Sequence, residues 1–173
     1  MIVRLAANAI ILIGCAYVGI MFATSLKKRV SQLEELQHMI KQMEFDIDFL
    51  NTPLCESLRR ISGMCRGGVK DVVEYVSFHL SENKCVDMHA IWKKALERFD
   101  SELALTDEDK KIILDFSKNL GCGDRIREKN NIEAAAMRLS VAETEARSNA
   151  AKNVKMYRGL GILTGILIVI ILF

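Results

Sequence analysis

SLKKRVSQLEELQHMIKQMEFDIDFL, residues 25–50, is the stretch on which the fold turns. Apolar side chains fall at Leu26, Leu33, Ile40 and Ile47, and again at Leu36, Met43 and Leu50. That is an a/d heptad kept for more than three turns and broken only by Arg29. Met39, Phe45 and Phe49 widen the apolar stripe, which favours packing into a bundle over a bare two-stranded coil. No Gly or Pro lies between Leu26 and Leu50, so one helix is expected to run without interruption from the apolar residues upstream to Leu50. Asn51-Thr52-Pro53 stops it. Thr52 is expected to cap the next helix, and Pro53 to occupy its first position, where no amide hydrogen is needed.

Four more segments carry a helical period before the last one. Leu54, Leu58 and Ile61 define a helix that ends at Gly63, and Val69 to Leu80 repeats the pattern with Val72, Val73 and Val76. Met88 to Phe99 places Ile91, Trp92, Ala95 and Phe99 on one face. Thr106-Asp107-Glu108-Asp109 opens a further helix with Ile112, Ile113, Phe116 and Leu120 inward and Gly121 as its stop. Asp124 caps a last helix extending from Arg125 through Val154 into the apolar tail. This helix is rich in alanine (Ala134, Ala135, Ala136, Ala142, Ala146, Ala150, Ala151) and reads as a long solvated connector in preference to a close-packing surface.

Charge is segregated along the 173 residues. All 22 acidic residues and 23 of the 24 Lys and Arg lie between Thr24 and Arg158, a net charge of +1 for that segment. Leu5 to Ala23 is uncharged and spans roughly 28 Å as a helix; the 15 residues from Gly159 to Phe173 reach about 22 Å. Lys27, Lys28 and Arg29 follow the first apolar segment, and Lys152, Lys155 and Arg158 precede the second. Such basic flanks mark the cytoplasmic side. The expected fold is therefore all-α: a cytoplasmic antiparallel bundle of about six helices over residues 24–158, flanked by transmembrane helices at 1–23 and 159–173. A cleaved signal peptide is disfavoured by the stop-transfer charges that follow. The lipobox-like Leu12-Ile13-Gly14-Cys15 is disfavoured because the apolar run continues to Phe22.

Little in the sequence promises chemistry. A near-neutral centre lacks the basic footprint of a nucleic-acid binder, and five scattered cysteines make no disulfide scaffold. Cys85 and His89 are spaced as half of a zinc site, but no second pair exists, so neither metal nor cofactor is expected. Arg66-Gly67-Gly68 lacks the Lys-Ser/Thr of a phosphate loop. Gly121-Cys122-Gly123-Asp124 spells the G-x-G-D of intramembrane aspartyl proteases. Asp124 nevertheless sits in a charged stretch with no second intramembrane aspartate, and a glycine stop followed by an aspartate cap explains all four residues. No catalytic residue is assigned. In the apolar tail, Gly161-Ile162-Leu163-Thr164-Gly165 is a G-x-x-x-G and Gly14 and Gly19 interrupt the first segment, so the spans are expected to pair, or copies to self-associate through Gly161 and Gly165.

Thr52-Pro53-Leu54, Leu120-Gly121 followed by Asp124-Arg125, and Ala151-Lys152-Asn153-Val154-Lys155-Met156-Tyr157-Arg158 running into Leu160-Gly161 resemble the stage III sporulation protein AB family. The resemblance covers the whole chain and its motifs are structural. It implies a mother-cell membrane protein of the sporulation channel between mother cell and forespore, with other channel components and membrane lipid as neighbours. It also implies a cytoplasmic domain similar to the platform proteins of type II secretion and type IV pilus machines, which dock a cytoplasmic ATPase, here the stage III AA protein. A membrane-anchored signalling or sensor module is the alternative, with few residues outside to sense anything. If an ATPase docks, the loops furthest from the membrane meet it first. Arg59, Arg60, Arg125 and Arg127, close to Asn51-Thr52-Pro53 and Gly121-Cys122-Gly123-Asp124, are the candidate contacts to an acidic partner face. That they are ordinary solvated charges stays open. Reversing Arg59 and Arg60 together is expected to leave the helices intact.

Overall fold

The structure, a computed structural model, describes residues 2–48, 52–82, 87–120 and 125–172, with every side chain among them except those of residues 2–12, 48, 125, 158, 162, 166, 171 and 172. Among the described residues it holds six α-helices and no strand: α1 (Ile2–Asp48), α2 (Leu54–Ser62), α3 (Gly67–Glu82), α4 (Met88–Arg98), α5 (Asp107–Lys118) and α6 (Arg125–Leu172). A 3-10 turn at Asp100–Glu102 separates α4 from α5. The chain divides into two compact units, Ser31–Thr144 and the pair Met1–Val30 with Glu145–Phe173.

The unit Ser31–Thr144 is an all-α bundle whose core the heptad of α1 begins. Leu33, Leu36, Met39, Ile40 and Met43 are buried, with Leu58 and Ile61 of α2 and Val69, Val72, Val73 and Val76 of α3. Ile91, Trp92 and Ala95 come from α4, Ile113 and Phe116 from α5, and Ile132 and Leu139 from α6. Trp92 meets Phe116 edge to face with ring centroids 6.5 Å apart. Burying each of the larger apolar side chains stabilises the unit by roughly 1.5–3 kcal/mol. Phe45, expected to widen the stripe, is instead 48% exposed: it lies two positions from both Met43 and Ile47, at the heptad position opposite the a/d seam. Phe49 lies outside the described residues.

Helix ends follow local chemistry. Thr106 and Asp109 form the reciprocal capping box at the start of α5, the hydroxyl accepting from the Asp109 amide and the carboxylate from the Thr106 amide. Asp87 caps α4 by accepting from the His89 amide. At α2 the expectation is corrected. Pro53, not Thr52, flanks the helix, and no side chain caps it. The Pro53 carbonyl already accepts from the Ser57 amide at 3.0 Å, while the Thr52 amide donates back to the Asp46 carbonyl. Gly121 and Asp124, expected to stop α5 and cap α6, lie outside the described residues.

The connector reading of α6 is also corrected. Within Ser31–Thr144 its Ala135 and Ala142 are buried in line with Ile132 and Leu139. The Gln37 side-chain amide of α1 donates to the Leu139 carbonyl at 3.2 Å. Small side chains there let the backbones approach, so the low bulk that suggested a solvated helix is what makes close packing work.

One junction was invisible in the sequence. Gln32 is buried in α1; its amide nitrogen donates to the Glu102 carbonyl at 3.0 Å, and its carbonyl accepts from the Ala104 amide at 2.7 Å. The loop before α5 is held by one side chain as a strand would be by its neighbour. The same Glu102 carbonyl lies against Gly68, where an added Cβ would stand 2.8 Å from it and 3.0 Å from the Glu102 Cβ. Gly68→Ala is therefore expected to cost about 1–3 kcal/mol. Thermal unfolding followed by circular dichroism reads it; an unchanged midpoint would show that the junction yields freely.

In the other unit α1 and α6 run antiparallel. Gly19 faces Tyr157 and Gly161: a Cβ on Gly19 would stand 2.7 Å from the Tyr157 carbonyl oxygen and 3.1 Å from the Gly161 Cα. Phe22 and Tyr157 stack with centroids 5.8 Å apart. Ala23, Ala146 and Ala150 are buried. Among the described residues one helix, α6, has a stretch long and apolar enough to cross a membrane.

Candidate docking surface

The four arginines singled out from the sequence have different fates. Arg60 turns to Asp46, whose side chain is 0% exposed. Asp46 also accepts from the Ser57 hydroxyl at 2.6 Å and from the Gln42 amide at 3.0 Å. These bonds hold its carboxyl below the usual carboxylate range despite the opposing pull of burial. Arg60 is thus a clamp between the end of α1 and α2, and its role as a free docking charge is corrected. Arg59, one residue earlier, is exposed. Arg127 is exposed on the first turn of α6, and the side chain of Arg125 lies outside the described residues. The groove beside Arg59 is lined by Pro53, α2 and α3 and by no residue of α6, so it does not join Arg59 to Arg127.

That groove has a volume of about 700 Å³ and runs between Pro53, Cys55, Arg59 and Ser62 on one wall and Glu74, Ser77 and Phe78 on the other. Phe78 is 56% exposed on its rim. Across α3 lies a second recess of about 370 Å³ that shares Glu74 and Phe78 and adds Tyr75, His79, Arg98 and Phe99. The aromatic rings are ordered among themselves. Tyr75 and His79 lie 4.0 Å apart, Phe78 meets His79 edge to face, and the Arg98 guanidinium sits 5.5 Å over the Tyr75 ring. The His79 Nδ1–H donates to the Tyr75 carbonyl at 2.9 Å, which fixes the ring against its own helix.

An arginine beside a rigid, partly exposed aromatic cluster is the composition of protein interfaces rather than of a reaction site. The sequence reading assigned no role to Tyr75, Phe78 or His79, which lie off the valine stripe of α3. Their i, i+3, i+4 spacing on the face opposite that stripe was the available signal.

Groups that looked reactive have structural partners. The His89 Nδ1–H donates to the Leu114 carbonyl at 3.2 Å, tying α4 to α5; Cys85 lies outside the described residues. Burial, reinforced by the charge of Glu35, pushes the Cys65 thiol up to about 11, so it stays protonated and a poor nucleophile at neutral pH. Glu35 itself is raised by burial, and the nearby Arg66 only partly offsets this. Gly161, offered for self-association, has a packing role within the chain: a Cβ there would stand 2.9 Å from the Cys15 carbonyl oxygen and 3.1 Å from Gly19. Gly165 is buried as well.

Comparison with known proteins is consistent along the whole length. The chain is 25% identical over 169 residues to stage III sporulation protein AB of Bacillus subtilis (strain 168), covering 98% of both chains. A solved structure of a stage III sporulation protein AB superposes with a TM-score of 0.65 at 22% identity, covering 71% of this chain and 96% of that one, and shows the same fold. The family model described as stage III sporulation protein AB matches residues 4–173, and the chain belongs to that family.

Proposed function

We propose that this sporulation protein is a non-enzymatic platform of the channel between mother cell and forespore, held in the mother-cell membrane and docking a cytoplasmic ATPase. In this reading residues 1–23 and 159–173 cross the membrane and 24–158 face the cytoplasm, as the basic flanks of both apolar segments favour. The ATPase is the stage III AA protein that the family resemblance brings in. The observation that carries the reading is the α2–α3 face. There Arg59, Phe78 and the Tyr75–His79 pair form a charged and aromatic surface while the polar groups behind it are occupied by structural bonds.

Arg59→Glu combined with Phe78→Ala is expected to weaken binding of the full chain to the ATPase at least about tenfold, with the helical spectrum unchanged. A pulldown in detergent, followed by titration, measures it. Unchanged affinity in this variant moves the contact away from α2–α3. Should Arg125→Glu with Arg127→Glu then weaken binding instead, the start of α6 is the docking site.

A further inference from the structure

The boundary of charge in this chain is sharper than a flank rule requires. Residues 34–145 hold 16 Lys and Arg against 22 Asp and Glu, a net charge of −6; residues 1–33 and 146–173 hold eight Lys and Arg and no acidic residue at all. The unit formed by Met1–Val30 and Glu145–Phe173 gathers Lys27, Lys28, Lys152 and Lys155 at one level. Phe22 and Tyr157 stack across the two helices at 5.8 Å and set a common height. Lys27 and Lys28 follow Phe22 by about 8–9 Å of helix rise, and Lys155 and Lys152 precede Tyr157 by about 3 and 8 Å. All four lysines are exposed. On the other side of the aromatic pair Arg158 directly follows Tyr157, and beyond it neither helix carries a charge until Arg4.

An aromatic pair at one depth, an apolar stretch beyond Arg158 on one side and a ring of exposed ammonium groups on the other, is the profile of the headgroup layer. We propose that Lys27, Lys28, Lys152 and Lys155 form a collar that binds anionic phospholipid headgroups and concentrates them around this protein. A second copy is a poor occupant of the same surface, because it would bring the same cations to the same depth. Phosphate-bearing lipids supply the missing anions, and each lysine near such a surface strengthens attachment by about fivefold at physiological salt. The net negative charge of residues 34–145 is repelled by the same lipids, so attraction is confined to the collar.

The proposal rests on the membrane reading of α1 and α6, and the experiment separates the two. The full chain is reconstituted into vesicles of phosphatidylcholine alone and of phosphatidylcholine with one third phosphatidylglycerol. Flotation is measured first. The protein is then extracted with its surrounding lipid by a nanodisc-forming polymer, and the lipid is quantified. The expected result is flotation with both vesicles and phosphatidylglycerol enriched about threefold over the bulk around the protein, falling to the bulk ratio in high salt. The variant carrying Lys27→Gln, Lys28→Gln, Lys152→Gln and Lys155→Gln is expected to float equally and to show no enrichment. Flotation of the parent without enrichment, or enrichment that survives the four substitutions, overturns the collar and leaves the membrane reading standing. Failure to float with either vesicle overturns both.

Discussion

Arg60→Glu is expected to destabilise the bundle by about 3 kcal/mol, whereas Arg59→Glu, one residue away, is expected to cost less than about 0.5 kcal/mol. The difference comes from what each guanidinium faces. Asp46 is wholly buried, and Arg60 is the cation that compensates it. Replacing that cation by a carboxylate leaves a buried charge beside a like charge. Ser57 and Gln42 still donate to Asp46, which keeps the loss at the lower end of the range for broken buried pairs. A loss of that size moves the melting midpoint of a unit this large by roughly 10 °C. Equal midpoints for the two variants would mean that the pair is no stronger than a surface one.

The same carboxylate gives the bundle an acid limb. Its pKa lies below the ordinary value when folded, because the hydrogen bonds from Ser57, Arg60 and Gln42 outweigh burial. A folded pKa below the unfolded one means that the unfolded chain binds the proton more readily. The contribution is therefore complete above about pH 4, the unfolded value, and is lost as pH falls through the lower folded value. The double variant Asp46→Ala with Arg60→Ala removes the acid limb and recovers part of what Arg60→Glu loses, since no buried charge remains.

How far the sequence could be read depended on the range of the interaction. The heptad from Leu33 to Met43, the Thr106–Asp109 box and the aliphatic stripes of α3 and α5 are legible because period and capping are local. Arg60 was misjudged because its partner lies fourteen positions away and nothing in a Leu-Arg-Arg-Ile string tells one arginine from the next. Gln32 bonds to residues seventy positions further on, and a glutamine beside a heptad leucine looks like any exposed polar residue. The alanines of α6 were misread for a related reason. A small residue has the same composition signature on a solvated face as in a tight interface, and only the neighbouring helix decides between them. In the proposed docking face Arg59 was singled out by its nearness to a loop. Phe78 was missed because an aromatic off the core stripe carries no period of its own.

Gly161→Leu is expected to break the pairing of α1 with α6, at a cost of about 3 kcal/mol or more, and Gly19→Leu to do the same. At both positions the obstacle is backbone. The nearest atoms to a Cβ at Gly161 are the Cys15 carbonyl oxygen at 2.9 Å and the Gly19 Cα at 3.1 Å; at Gly19 they are the Tyr157 carbonyl oxygen at 2.7 Å and the Gly161 Cα at 3.1 Å. No side-chain rotation relieves these contacts, so the helices must separate, and the close packing that two glycines allow in an apolar pair is lost along its length. The same sequence supplies its own controls. A Cβ at Gly14 or at Gly159 meets nothing within 4 Å, so Gly14→Leu and Gly159→Leu are expected to leave the pairing intact. The stacked rings of Phe22 and Tyr157 mark a position for a thiol crosslink. With Phe22→Cys and Tyr157→Cys in a background lacking the native cysteines, a short bifunctional reagent should join α1 to α6 within one chain in near-complete yield. Adding Gly161→Leu should cut that yield several-fold, while adding Gly159→Leu should not. Equal loss from the two leucines would mean that bulk anywhere on α6 is harmful and that no glycine crossing exists. No loss from either would place the contact between the helices somewhere other than Gly19 and Gly161.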